Sequence, residues 1–139
     1  MSYILFLDDV RRPNEVTWPI LCADGSRKYM REIFDFDNFL ARRVLNYFEF
    51  CEFIKYEGIP EVVFFDHDLA PEHYAACNSG SHQYGKKETG ADCARWLVEH
   101  CLEQKRPIPL YYVHSMNPDG AQNIRSILET AKRVHPELA

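Results

Sequence analysis

The stretch Glu61-Val62-Val63-Phe64-Phe65-Asp66-His67-Asp68 decides how the chain is read. Its β-branched and aromatic run suits a strand covered on both faces, and the abrupt change to acid and imidazole marks where that strand leaves the core. The run from Tyr3 to Leu7 has the same design and stops at Asp8-Asp9. A third run, Leu110 to Val113, stops at His114-Ser115. Strands buried on both faces belong to parallel sheets, and parallel neighbours need long crossovers, so helices are expected between them.

Working outward, the intervening segments supply those helices. Thr89-Gly90-Ala91-Asp92 pairs an N-cap threonine with an acid at the third helical position, and Ala91, Ala94, Leu97, Val98, Cys101 and Leu102 then mark one apolar face. Asn117-Pro118 starts the last helix, with Ile124, Ile127, Leu128 and Ala131 inward. Phe36, Leu40, Val44, Tyr47, Cys51 and Ile54 fit one long helical period. Asn46 followed three residues later by Glu49 breaks it, favouring a strand around Arg42 to Leu45 and a helix from Tyr47 to Glu57 closed by Gly58 and Pro60. From Pro13 through Pro19 and Asp24-Gly25 the chain reads as loop with room for a hairpin, and Arg31 to Phe36 as a short strand. The polar stretch from Pro71 to Glu88 is too long for a simple connection and reads as a functional loop arching over the strand ends. The alternation predicts an α/β fold: a mainly parallel sheet of about four strands with helices on both faces.

With 139 residues the chain is read as one domain, 1–139, with an insertion at about 14–40 and a long loop at about 71–88. A net charge of −5 lacks the broad positive field of general nucleic-acid backbone binders, leaving a small phosphorylated ligand or an RNA end as partner. The absence of an apolar run of membrane-spanning length and of a signal peptide predicts a cytoplasmic protein with no membrane partner. Nothing in the sequence sets an oligomeric state. Cys22, Cys51, Cys77, Cys93 and Cys101 are odd in number and contain no C-x-x-C pair, so reduced, buried thiols are expected. His73, Cys77 and His82 lack a fourth ligand and make a weak zinc signal.

In open parallel sheets ligands sit beyond the carboxyl ends of the strands, where Asp8, Asp9, Asp66, His67, Asp68, His114 and Ser115 all fall. Carboxylates gathered there repel one another by a few kcal/mol unless a cation or a shifted protonation offsets it. Oxygen ligands with an open coordination sphere suit Mg²⁺, or Mn²⁺, and such an ion accepts a substrate phosphate. The plainer alternative is that these acids are ordinary turn and capping residues. Arg11 has the fork geometry for a phosphate, or makes a surface ion pair. His67 and His114 are candidates for proton transfer. Thr89, Gly90, Ser115, Asn117, Gly120 and Asn123 surround two helix N-termini, which bind anions as readily as they cap.

Four ordered motifs carry a resemblance: L-D-D-V-R at 7–11, D-H-D-L at 66–69, T-G-A-D at 89–92 and H-S-M-N-P-D-G-A-Q-N at 114–123. Together, from Tyr3 to about Lys132, they resemble the cyclic-phosphate processing receiver domain. The resemblance implies a receiver-like (flavodoxin-like) three-layer sandwich associated with RNA repair. It also implies Asp8 and Asp9 as metal ligands, Asp66 as counterpart of the phosphoacceptor and metal ligand, Asp68 as a further oxygen, and His114 or Ser115 at the hydroxyl position of the later strand. A receiver ordinarily adds a strand ending in lysine, absent after His114-Ser115 here, which counts against a phosphorelay switch. The resulting expectation is a Mg²⁺-dependent phosphoesterase that binds and hydrolyses a 2′,3′-cyclic phosphate, at an RNA end or on a cyclic nucleotide, with His67, His114, Asp66 and Asp68 catalytic. A phosphoacceptor receiver and a non-catalytic cyclic-nucleotide-binding module stay open beside it.

Overall fold

Alternation along the buried strands divides the core in two. In the computed structural model, which describes residues 3–33, 41–69 and 88–139, Leu5, Leu7, Val63, Phe65, Tyr111 and Val113 face one hydrophobic cluster. Ile4, Phe6, Val62, Phe64 and Tyr112 face the other, as a period of two requires. The strands are β1 (Ile4–Leu7), β2 (Ile20–Cys22), β3 (Arg27–Lys28), β4 (Ala41–Val44), β5 (Val62–Phe65) and β6 (Leu110–Val113). They form one sheet in the order β3-β2-β6-β5-β1-β4. The four strands β4, β1, β5 and β6 are mutually parallel, so their carboxyl ends share one edge.

The helices are α1 (Met30–Ile33), α2 (Tyr47–Glu57), α3 (Gly90–Gln104) and α4 (Pro118–Val134). The three long ones pack side by side over the Leu5–Phe65 face and bury Phe50, Ile54, Leu97, Ile124 and Leu128 there. The opposite face is covered by the segment between β1 and β4, through Val16, Ile20 and Met30. Phe6, Phe50, Phe64 and Phe65 are all fully buried, each contributing on the order of 2–3 kcal/mol. Cys22, Cys51, Cys93 and Cys101 are buried and form no disulfide among the described residues, and Cys77 lies outside them. No helix among the described residues is long and apolar enough to cross a membrane.

The sheet has six strands where about four were expected. The insertion turns back at Asp24-Gly25, where Gly25 adopts φ +91°, and its hairpin adds β2 antiparallel to β6 and β3 antiparallel to β2. Pairing in this way covers the open edge of β6. The strand expected over Arg31 to Phe36 is instead helical as far as Ile33, and the rest of it lies outside the described residues. Met30 and Ile33, three apart, turn one helical face to the core, and the Glu32 carboxylate accepts from the Tyr29 amide at 2.7 Å.

Between β1 and β5 the broken arrangement holds: β4 ends at Val44, and Asn46 caps α2 by accepting from the Glu49 amide at 2.9 Å. The Glu49 carboxylate reaches one residue further back than a standard capping box, to the Leu45 amide at 2.9 Å. Both later helices start where their caps predicted, at Gly90 and Pro118. The loop expected over Pro71 to Glu88, with His73 and His82, lies outside the described residues except for Glu88.

Candidate functional site

Because β1, β5 and β6 lie side by side and parallel, the residues that follow them meet. Asp8, Asp66 and His114 are 0 %, 4 % and 0 % exposed, and a ligand atom from each lies within 4.8 Å of the others. Burying two carboxylates and an imidazole is costly unless their polar atoms are engaged. Asp8 is the most fully engaged. Its Oδ1 accepts from the Val10 and Arg11 amides, both at 2.9 Å, and its Oδ2 meets His114 Nε2 at 3.0 Å.

The charges follow from these contacts. Burial pushes Asp8 toward the neutral form, but the hydrogen bonds from His114, Arg11 and Val10 outweigh it and hold the carboxyl below its ordinary value. Among the described residues Asp66 accepts from the His67 amide, at 2.9 Å, and burial together with the charge of Asp8 raises it to about 7. His114 is lowered by burial against the pull of Asp8, so it stands neutral and Nε2–H donates to the carboxylate. Its Nδ1 is buried without a partner among the described residues, and its ring stacks on Phe6 at 4.5 Å. The carbonyl of the same residue accepts from Trp18 Nε1.

The other expected site residues divide by position. Asp9 is partly exposed and outside the three-residue group, yet its charge adds to the field that raises Asp66. His67 is 17 % exposed in its side chain, with Nδ1 3.0 Å from the exposed Asp68 carboxylate. Of the two histidines, His67 reaches solvent and His114 does not. Arg11 holds Nη1 3.8 Å from Asp8 Oδ2, lies 4.9 Å over the Trp18 ring and points Nη2 at Met116 Sδ, 3.8 Å away. Trp18 carried no sequence signal and Met116 entered only within the 114–123 motif, because only the folded chain brings them to Arg11.

The two helix N-termini are occupied by the protein's own groups. The Gly90 amide donates to the His67 carbonyl at 2.8 Å, and the Gly120 amide to Asn117 Oδ1 at 3.0 Å. Thr89 is held by the Asp92 carboxylate, which accepts its amide at 2.8 Å, and Ser115 Oγ accepts from the Asn117 amide at 3.1 Å. Asn123 is exposed in the second turn of α4. Gly90 and Gly120 also have a packing role: a Cβ at Gly90 would fall 1.8 Å from the Asp66 carbonyl oxygen, and one at Gly120 2.4 Å from the His67 ring. Only glycine lets α3 and α4 approach the end of β5 this closely.

A doubly covered parallel sheet with buried acids after its first and third parallel strands defines a receiver-like α/β protein. The sequence model of the cyclic-phosphate processing receiver domain matches residues 3–130, and the chain belongs to that family. No curated protein and no solved structure gave a match.

Proposed function

We propose that the chain holds a divalent cation at Asp8 and Asp66 and uses that site to bind and process a cyclic phosphate ester. The observation that carries this reading is the convergence of Asp8, Asp66 and His114 within 4.8 Å at three adjacent strand ends. Ligand atoms around Mg²⁺ or Mn²⁺ stand roughly 2.9–4.2 Å apart, so the three groups fit with a contraction of a few tenths of an ångström. The raised Asp66 carboxyl, facing the charge of Asp8, is what a cation would relieve. Two carboxylates, one of them held in place by a buried imidazole, suit Mg²⁺ or Mn²⁺. When bound, such an ion polarises phosphate oxygens and offsets the carboxylate charge.

The chain's own residues do the rest. Arg11, fixed against Trp18, presents a guanidinium beside Asp8 and binds a phosphate oxygen. His67 is the histidine within reach of solvent, and Asp68 orients its ring, so it takes a proton from the attacking water and returns one to the departing ester oxygen. Water adds across one P–O bond, leaving a phosphate monoester and a free hydroxyl. His114 acts through Asp8 as a positioning residue. The test is turnover and equilibrium binding of 2′,3′-cyclic nucleotides with Mn²⁺, Mg²⁺ or chelator, in the native chain and in Asp8→Asn. Metal-dependent monoester release, lost in the variant, is expected. Tight binding without product reduces the site to a binding module, and neither binding nor turnover sinks the reading.

A further inference from the structure

The insertion between β1 and β4 does more than cover the sheet edge. Leu21 pairs with Val113 and Ile20 with Lys28, so continuing the register sets Lys28 level with His114, two strands or about 10 Å outward along the same edge. Tyr29 and Arg31 follow at that edge, and the Arg31 guanidinium lies 5.1 Å over the Tyr29 ring. Arg11 over Trp18 makes the same kind of pair beside Asp8. Arg27, Lys28 and Arg31 are exposed, and Tyr29 is 40 % exposed.

Charge in this segment departs from that of the whole chain. Residues 10–33 hold five cationic side chains and three acids, in a protein of net charge −5. The three acids are spent locally: Glu15 accepts from the Arg12 amide, Asp24 from Ser26, and Glu32 from the Tyr29 amide. Arg27, Lys28 and Arg31 form no ion pair with a carboxylate among the described residues, although Lys28 acts on Asp24 through space. Cations interleaved with flat aromatic faces are what a single-stranded nucleic acid needs, the former for its phosphates and the latter for its bases. An acidic peptide would use the cations and leave the 40 % exposed Tyr29 ring without a role, whereas Trp18 is already engaged by Arg11 and the His114 carbonyl.

We infer that the Trp18–Arg31 hairpin edge is a platform for a single-stranded polynucleotide whose cyclic phosphate end enters the Asp8–Asp66 site, so that the substrate is a strand end and not a mononucleotide. This rests on the cyclic-phosphate reading of that site and adds to it the strand behind the ester. The local platform also meets the objection raised by the acidic net charge, since contacts within a Debye length of about 10 Å outweigh a distant average.

The experiment measures binding of an RNA of about ten nucleotides ending in a 2′,3′-cyclic phosphate against the cyclic mononucleotide, with Mn²⁺, across a salt series. The chains compared are native, Lys28→Glu/Arg31→Glu, Tyr29→Ala, and Arg106→Glu at the far end of the molecule. The strand is expected to bind about tenfold or more tighter than the mononucleotide, with two phosphate contacts contributing a salt slope of roughly −1.4. The double variant should lose that advantage and that slope while binding the mononucleotide as before, Tyr29→Ala should lose several-fold for the strand alone, and Arg106→Glu should change nothing. Equal affinity for strand and mononucleotide, indifferent to the variants, overturns the platform and leaves the site reading intact. Loss of both ligands in the double variant, or displacement of the strand by an acidic peptide at matched charge, overturns it as well. If neither ligand binds in any chain, the site reading fails and the platform fails with it.

Discussion

Asp66 is the most exacting point at which to test the site. Its carboxyl stands at about 7 against an ordinary 3.8, because it is buried and faces the ionised Asp8. At about 1.4 kcal/mol per pH unit, a rise of about three units means that ionising Asp66 in the folded, metal-free protein costs about 4 kcal/mol. Between pH 4 and 7 the unfolded chain has lost this proton and the folded chain has kept it. Folding stability from this residue therefore falls as pH rises, by about 1.4 kcal/mol per unit. His114 opposes it below pH 6.5: its folded form stays neutral while the unfolded form is protonated, so its contribution grows with pH in that window. Asp66→Asn removes the first effect and leaves the second. Urea denaturation of both proteins from pH 4 to 8 in chelator should show Asp66→Asn gaining on the native chain between pH 4 and 7, to about 4 kcal/mol, and levelling off above. Excess Mn²⁺ should recover part of that loss in the native chain, about 2.7 kcal/mol at one hundred times its Kd, and nothing in Asp66→Asn. A pH-independent difference between the two proteins, or an Asp66 carboxyl resonance titrating near 4, would refute the argument.

Gly90→Ala should destabilise the protein by about 3 kcal/mol or more, because the new methyl would meet the Asp66 backbone carbonyl and not a side chain that can yield; denaturant midpoints check it. His114→Ala should cost roughly 2–4 kcal/mol through the lost stack on Phe6 and the lost bond to Asp8. The same variant should raise the Asp8 titration toward its ordinary range, read by carboxyl NMR, whereas a purely structural role for His114 would leave Asp8 unmoved.

Much of this molecule was legible because the signals were local. The apolar runs at 4–7, 62–65 and 110–113 carry no charged residue at alternate positions, which leaves a doubly covered sheet as their main outlet, although Leu110 at the start of the third is exposed. Caps at Asn46, Thr89 and Asn117 lie within four residues of the amides they serve, so helix starts could be placed from composition alone. That acids and histidines follow three strands was equally plain.

Tertiary structure decided what depends on partners distant in the chain. Whether residues 20–28 form a hairpin that joins the sheet depends on β6, some ninety residues away, and local propensity carries no trace of that pairing. Asp9 and His114 were equivalent to Asp8 and His67 as strand-end residues, yet packing sealed His114 against Phe6 and Asp8 and left Asp9 partly exposed. The helix N-termini offered as anion sites proved to have their leading amides taken by His67 and Asn117. Order along the chain determines which chemical groups reach the sheet edge; only burial and the pairing of hydrogen bonds determine which carry charge there, since both depend on the dielectric and neighbours that folding assembles.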